Sequence, residues 1–188
     1  MEKSKESSLS ALETLRAPLP DDLFNEPIEY IFADHFRQRA LCALLDEIAS
    51  GSSPDVQMVM AVLGYLKSEF QPHLLDEEKG LFPMLCRRAK PEDEIDEVLR
   101  QLTEEHASDG EDAKDIILVL EQITKAGGSN ALSEKAADLL KRFAANERQH
   151  LIVENSIVLP LARARLTEED CRDFGQRMAA RRGVVLND

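Results

Sequence analysis

His73-Leu-Leu-Asp-Glu-Glu-Lys-Gly-Leu-Phe-Pro83 and His150-Leu-Ile-Val-Glu-Asn-Ser-Ile-Val-Leu-Pro160 are one phrase written twice. Both read His-x3-Glu-x5-Pro, with apolar residues before the proline. In a helix, residues four apart share a face, with Cβ atoms about 5–6 Å apart. Each imidazole and its carboxylate can therefore reach one metal ion or two adjacent ions. The chain has four histidines. The other two, His35 and His106, each precede one phrase. The sequence thus falls into two halves, each carrying a His and then a His-x3-Glu. The candidate ligands are His35, His73, Glu77, His106, His150 and Glu154.

Apolar periodicity places these residues on helix faces. Stepping alternately by four and three gives Val59, Leu63, Leu66, Phe70, His73, Glu77, Gly80, Met84 on one helix. A second seam is Ala136, Leu140, Phe143, Glu147, His150, Glu154, Ile157, Leu161, and a third is Ile95, Leu99, Leu102, His106, Asp109, Ala113, Ile116, Leu120. The fourth is Ile28, Ile31, His35, Gln38, Cys42, Leu45. These are the inward stripes of a four-helix bundle, apolar at both ends and polar in the middle.

Punctuation sets the helix ends. The first long helix runs from about Glu26 to Ala49. The second opens with Ser53 as cap and Pro54 at its first position, and continues to about Lys90 with kinks at Pro72 and Pro83. Pro91 opens the third, which Gly127-Gly128 ends after Lys125. The fourth runs from about Asn130 to Arg165, bent by Pro160. Thr167 and Asp170 form a capping box for a short helix over about 168–182, whose stripe of Cys171, Phe174 and Met178 packs on the bundle. No stretch alternates as a strand would. Residues 1–22, polar with prolines at 18 and 20, read as a flexible segment, and residues 23–188 as one domain.

Composition narrows the function. A net charge of -13 argues against nucleic acid, which needs a basic face, and against anionic membranes. Cys42, Cys86 and Cys171 are too few and too scattered for a disulfide framework or a zinc module. There is no apolar signal core and no run approaching the roughly 20 residues of a membrane span, so the cytoplasm is the expected compartment.

Two buried carboxylates and four imidazoles must be paired, protonated or metallated, because an isolated buried charge costs on the order of several kcal/mol. A hydrogen-bonded core, with the four histidines bonded to Glu77 and Glu154, is one solution. The duplicated phrase favours metal. Nitrogen and carboxylate donors without thiolate suit iron, manganese or zinc, and six donors are too many for one zinc. Two octahedral ions offer about twelve positions; four histidines and two bridging carboxylates fill about eight, and an oxo or hydroxo bridge about two more. About one position on each ion stays open for a diatomic or peroxide, which suits two iron ions. Glu147-Arg-Gln-His150 has the Glu-x-x-His spacing of ferritin-like sites, but no second copy accompanies it upstream of His73 or His106.

The order His, His-x3-Glu, His, His-x3-Glu on four helices resembles the hemerythrin-like HHE cation-binding proteins. The Leu81-Phe82-Pro83 and Glu104-Glu105-His106 stretches extend the likeness, and the ending Met178-Ala-Ala-Arg-Arg-Gly183 resembles bacterial members. The resemblance covers about residues 24–183. It implies an all-α, up-down-up-down four-helix bundle with a short extra C-terminal helix and a non-haem di-iron centre. By the same resemblance His35, His73, Glu77, His106, His150 and Glu154 are the iron ligands. Oxygen-carrying hemerythrins have a further histidine four residues after the one on the third helix, where this chain has Gly110. Asp109 and Glu147 lie on the seams nearby and are possible additional ligands, or partners of the ligands.

Two classes of function follow. One is a protein that binds or senses oxygen, peroxide or nitric oxide in oxygen and iron sensing or stress response. The other is a di-iron enzyme turning over peroxide or oxygen, or a protein that stores or handles iron. The expected partner is a small diatomic or peroxide, and the expected state a monomer or homodimer.

Overall fold

The computed structural model describes residues 2–51, 55–125 and 132–186, and among them it contains six helices and no strand. They are α1 (Glu2–Arg16), α2 (Pro27–Ser50), α3 (56–88), α4 (Asp96–Lys125), α5 (134–165) and α6 (Glu168–Arg181). Short 3-10 turns, Asp21–Asn25 and Pro91–Asp93, precede α2 and α4. The expected cap at Ser53 and Pro54, the Gly127-Gly128 stop and the Asn130 start lie outside the described residues. The first cap described for α3 is Asp55, whose side chain accepts from the Gln57 amide at 2.7 Å.

Proline shapes the two helices that carry the repeated phrase. Inside a helix it removes a backbone donor and clashes with the carbonyl four residues back, at a cost of about 3 kcal/mol or more. Yet α3 and α5 continue through Pro72, Pro83 and Pro160. Each proline follows a wide π turn: Leu66–Phe70 before Pro72, Glu77–Leu81 before Pro83, and Glu154–Val158 before Pro160. A wide turn holds one extra residue and absorbs the lost hydrogen bond. Glu77 and Glu154 each open one of these turns, so the proline half of the phrase sets the backbone at the glutamates.

The extra residue also shifts the helix phase. Ile157, expected on the inward seam, is 43% exposed, and Val158 is buried in its place. Ala162 is then buried where Leu161 was expected, and Leu161 is only partly covered. Steps of four and three cannot register an inserted residue, which is why the seam fails beyond Glu154.

The N-terminal segment differs from the expected flexible stretch. Residues Glu2–Arg16 form α1, with Leu15 buried. Arg16 donates to the side chain of Gln57 at 2.8 Å and to its carbonyl at 3.1 Å, and Ser8 donates to Glu47. The polar composition of this segment hid these contacts.

Two compact units share the long helices. The first draws on residues 1–17, 36–70 and 108–149. Its core includes Leu41, Leu44, Ile48, Val62, Ile116 and Leu140, with Phe70 and Phe143 edge to face at 5.5 Å. The second draws on 18–35, 71–107 and 150–188, and its core includes Phe24, Ile31, Leu81, Leu85, Leu102 and Val158.

Helix α6 completes the second unit. Thr167 Oγ1 accepts from the Asp170 amide at 3.1 Å and Asp170 accepts from the Thr167 amide at 3.0 Å, the expected capping box. Phe174 and Met178 are buried in the core, and Cys171 packs against it partly covered. Two glycines admit this docking. A Cβ at Gly80 would lie 2.4 Å from the Phe174 ring, and one at Gly175 would lie 1.9 Å from the Phe24 carbonyl oxygen. No helix among the described residues is long and apolar enough to cross a membrane.

Candidate metal centre

Five of the six candidate ligands converge in the second unit: His35 from α2, His73 and Glu77 from α3, His106 from α4 and Glu154 from α5. All are buried, none more than 3% exposed. Glu77 lies at the centre, with Oε1 3.8 Å from His35 Nε2, and Oε2 3.4 Å from His73 Nε2 and 3.7 Å from His106 Nε2. Glu154 spans the same two sides, with Oε2 3.6 Å from His35 Nε2 and Oε1 3.3 Å from His106 Nε2. Two overlapping groups result, His35–His73–Glu77 and Glu77–His106–Glu154, each with ligand atoms within 4.8 Å of one another.

The three histidines all turn Nε2 toward the carboxylates and Nδ1 away from them. His73 Nδ1 is 3.1 Å from Asp34, His35 Nδ1 is 3.1 Å from the side-chain oxygen of Asn155, and His106 Nδ1 faces Glu78 at 3.5 Å. An acceptor behind Nδ1 fixes the tautomer that leaves Nε2 free to bind a cation. Phe82 stacks beside the His106 ring at 5.7 Å.

His150 is adjacent but differently engaged. Its ring is 5.8 Å from that of His106, and its Nε2 is 2.7 Å from the Glu105 carboxylate. Asp109 and Glu147 are buried in the first unit, with carboxylate oxygens within 4.8 Å of one another. Glu147 lies one turn before His150 on α5. Glu147 also raises the pKa of Cys42, where burial is the larger cause, so this thiol is an unreactive core residue.

Charge in the cluster is strongly coupled. Burial alone would lower the pKa of His73, but the Glu77 and Asp34 carboxylates outweigh it and hold the imidazole well above its usual range. Burial pushes Glu77 up, and His73, His35 and His106 together pull it well below the usual carboxylate range. Among the described residues, both Glu77 oxygens and His35 Nε2 have no hydrogen-bond partner. Donor atoms on one shared ion, each about 2.0–2.2 Å from it, lie roughly 3 Å apart. The observed spacings of 3.3–3.8 Å are longer than that separation and longer than good hydrogen bonds.

The hemerythrin HHE cation-binding domain profile matches residues 26–177. The chain belongs to the hemerythrin HHE cation-binding family. No curated protein matches it. The all-α fold is that of the family, and the histidine and glutamate clusters of this HHE protein are groups that could hold a metal ion.

Sequence reasoning missed the residues behind the histidines: Asp34, Asn155, Glu78 and Glu105. Each is off the inward seams, where a polar residue reads as solvated. One signal was available, since Asp34 and Glu105 immediately precede His35 and His106 and Asn155 follows Glu154.

Proposed function

We propose that this chain holds two iron ions, with Glu77 and Glu154 bridging them, and that it binds or reacts with a small ligand such as oxygen, peroxide or nitric oxide. The observation that carries this reading is the placement of each bridging carboxylate. Glu154 presents one oxygen to His35 and the other to His106, and Glu77 meets His35 with one oxygen and both His73 and His106 with the other. A core held only by hydrogen bonds would leave the Glu77 oxygens and His35 Nε2 buried and unsatisfied, at a cost of about 1–3 kcal/mol each.

His35 and His73 serve one ion, and His106 serves the other. His150 joins the second set if its ring exchanges Glu105 for the ion. When bound, the iron pair supplies redox chemistry and open coordination positions. The protein fixes the imidazole tautomers through Asp34 and Asn155, supplies carboxylates to both ions and surrounds the site with apolar side chains such as Phe82. That shell restricts entry to small molecules.

Gly110 favours turnover over carriage. It lies one turn beyond His106 on α4, where an oxygen-carrying hemerythrin has a histidine. One nitrogen donor is therefore missing from the His106 side, which leaves that ion more open. Catalase- or oxidase-like turnover, sensing and iron handling all use such a site.

The direct test is metal analysis of the purified chain with optical spectra before and after oxygen, peroxide or nitric oxide is added. About two irons per chain and a spectrum that responds to one of these ligands is the expected result. One tightly held zinc with no iron uptake would overturn the reading.

A further inference from the structure

Arg181 and Arg182 close α6, beyond residue 177 where the family match ends. Both reach Asp76, which stands between His73 and Glu77 on α3 and is 1% exposed. Oδ1 of Asp76 accepts from Nη1 of Arg181, and Oδ2 accepts from Nη1 of Arg182 at 2.7 Å. The same Arg182 nitrogen donates to the Met178 carbonyl at 3.2 Å, which fixes the guanidinium to the helix end. Arg182 also lies over the Tyr30 ring at 5.0 Å, one turn before Asp34 on α2, and interacts electrostatically with Asp34. Asp34 in turn backs His73. Two buried carboxylates thus lie beside His73, and the end of α6 bonds one of them, Asp76, directly.

A buried carboxylate beside a cation site can be protonated, and if charged it has two stable outcomes, of which Asp76, with both oxygens on arginine, shows the first. It is neutralised by a cation of the protein, or it turns to the metal and displaces a designed ligand. From this geometry we infer that Arg181 and Arg182 are positioning residues for the metal centre. They hold Asp76 in place behind the ligands, so that His73 and Glu77 keep their aim. Docking of α6 and retention of metal are then coupled, and each strengthens the other. This inference rests on the metal reading given above.

The test uses the full iron-loaded chain and follows iron release to a ferrous chelator, together with melting temperatures of loaded and metal-free protein. Arg182→Gln should release iron about 10–100-fold faster, the range typical of losing an outer partner of a ligand. Asp76→Asn combined with Arg182→Gln should recover most of that retention, because the charge that needed compensation is gone. Arg182→Lys, which keeps the charge but loses the planar fork, should fall between, and it serves if Arg182→Gln does not fold. Unchanged release with both melting temperatures lowered equally would make the arginines a support of the fold alone and overturn the inference. A wild-type chain that takes up no iron would instead overturn the metal reading beneath it. The two failures are therefore read on different proteins.

Discussion

Asp34 places its carboxylate 3.1 Å from Nδ1 of His73, on the opposite side of the ring from Glu77. This relationship fixes which nitrogen of His73 can bind a cation. Asp34→Ala should therefore weaken metal binding by about 10–100-fold, the usual cost of removing such a partner. Asn155→Ala, behind His35, should cost less, because a neutral amide raises the basicity of its imidazole less than a carboxylate does. Chelator competition on the two variants checks the order. Equal affinities for Asp34→Ala and wild type would mean that packing alone aims His73.

Glu77 and Glu154, the carboxylates proposed to bridge, should outrank the other buried acids. Glu77→Ala and Glu154→Ala each remove carboxylate oxygens that lie near both His35 and His106, whereas Asp109→Ala and Glu147→Ala remove acids buried in the first unit. Metal content per chain after purification should fall most for the first pair. A Glu147→Ala variant as depleted as Glu154→Ala would move Glu147 into direct contact with metal.

Much of this centre was legible in the sequence because helical periodicity acts on one coordinate at a time. The seam through His73 and Glu77 needs only the spacing of four, and the repeated phrase removes the chance reading. What lay hidden depends on two elements meeting. Asp34 is next to His35 in sequence, but its partner is His73 on another helix. Arg181 and Arg182 looked like a basic end, and their partner Asp76 lies 105 and 106 residues away. The phase shift at Ile157 was hidden for a different reason: the prolines signalled kinks, and the backbone answered with wide turns that add a residue.

Metal removal should loosen the protein locally. Without an ion, the Glu77 oxygens and His35 Nε2 lose their compensation, so the metal-free chain should melt lower. Amide exchange should quicken most at 71–83 and 150–160, where wide turns depart from the regular α-helical pattern beside the ligands. Identical melting curves with and without metal would restore the hydrogen-bonded core.

Two surface ion pairs add a modest pH-dependent contribution to stability. The Arg165 guanidinium bonded to Asp93, with the Lys90 amide, pulls the Asp93 carboxyl down to about 2, and the Arg88 guanidinium does the same for Asp170. A carboxyl depressed in the folded state stabilises it at pH values above the unfolded pKa of about 3.9. That contribution is lost as pH falls from about 4 toward 2. Arg165→Gln should therefore unfold at lower urea than wild type near neutral pH, and the gap should close as pH drops to about 2. A gap that persists in acid would assign the effect to packing of the Arg165 stem and not to its charge.

Reactivity is the last consequence of the departure at Gly110. A Cβ built at this position meets no atom within 4 Å, so a side chain can be added there without a clash. The position shares a helix face with His106, four residues earlier. Nothing at 110 supplies a nitrogen, so in the proposed di-iron centre the His106 side would be short of a donor and open to small ligands. Reduced, iron-loaded protein should therefore consume oxygen or peroxide and end oxidised, and should not take oxygen up and return it unchanged. Gly110→His should slow that oxidation and make uptake more nearly reversible, provided its Nδ1 finds an acceptor as those of His35 and His73 do. Replacing Gly with His in the helix also improves helix propensity by about a few tenths of a kcal/mol, so the variant should fold at least as well. Repeated cycles of oxygen addition and removal, followed by optical spectra and oxygen electrode, compare the two proteins. Wild-type protein that returns its oxygen intact over many cycles would reverse the reading and make carriage its chemistry.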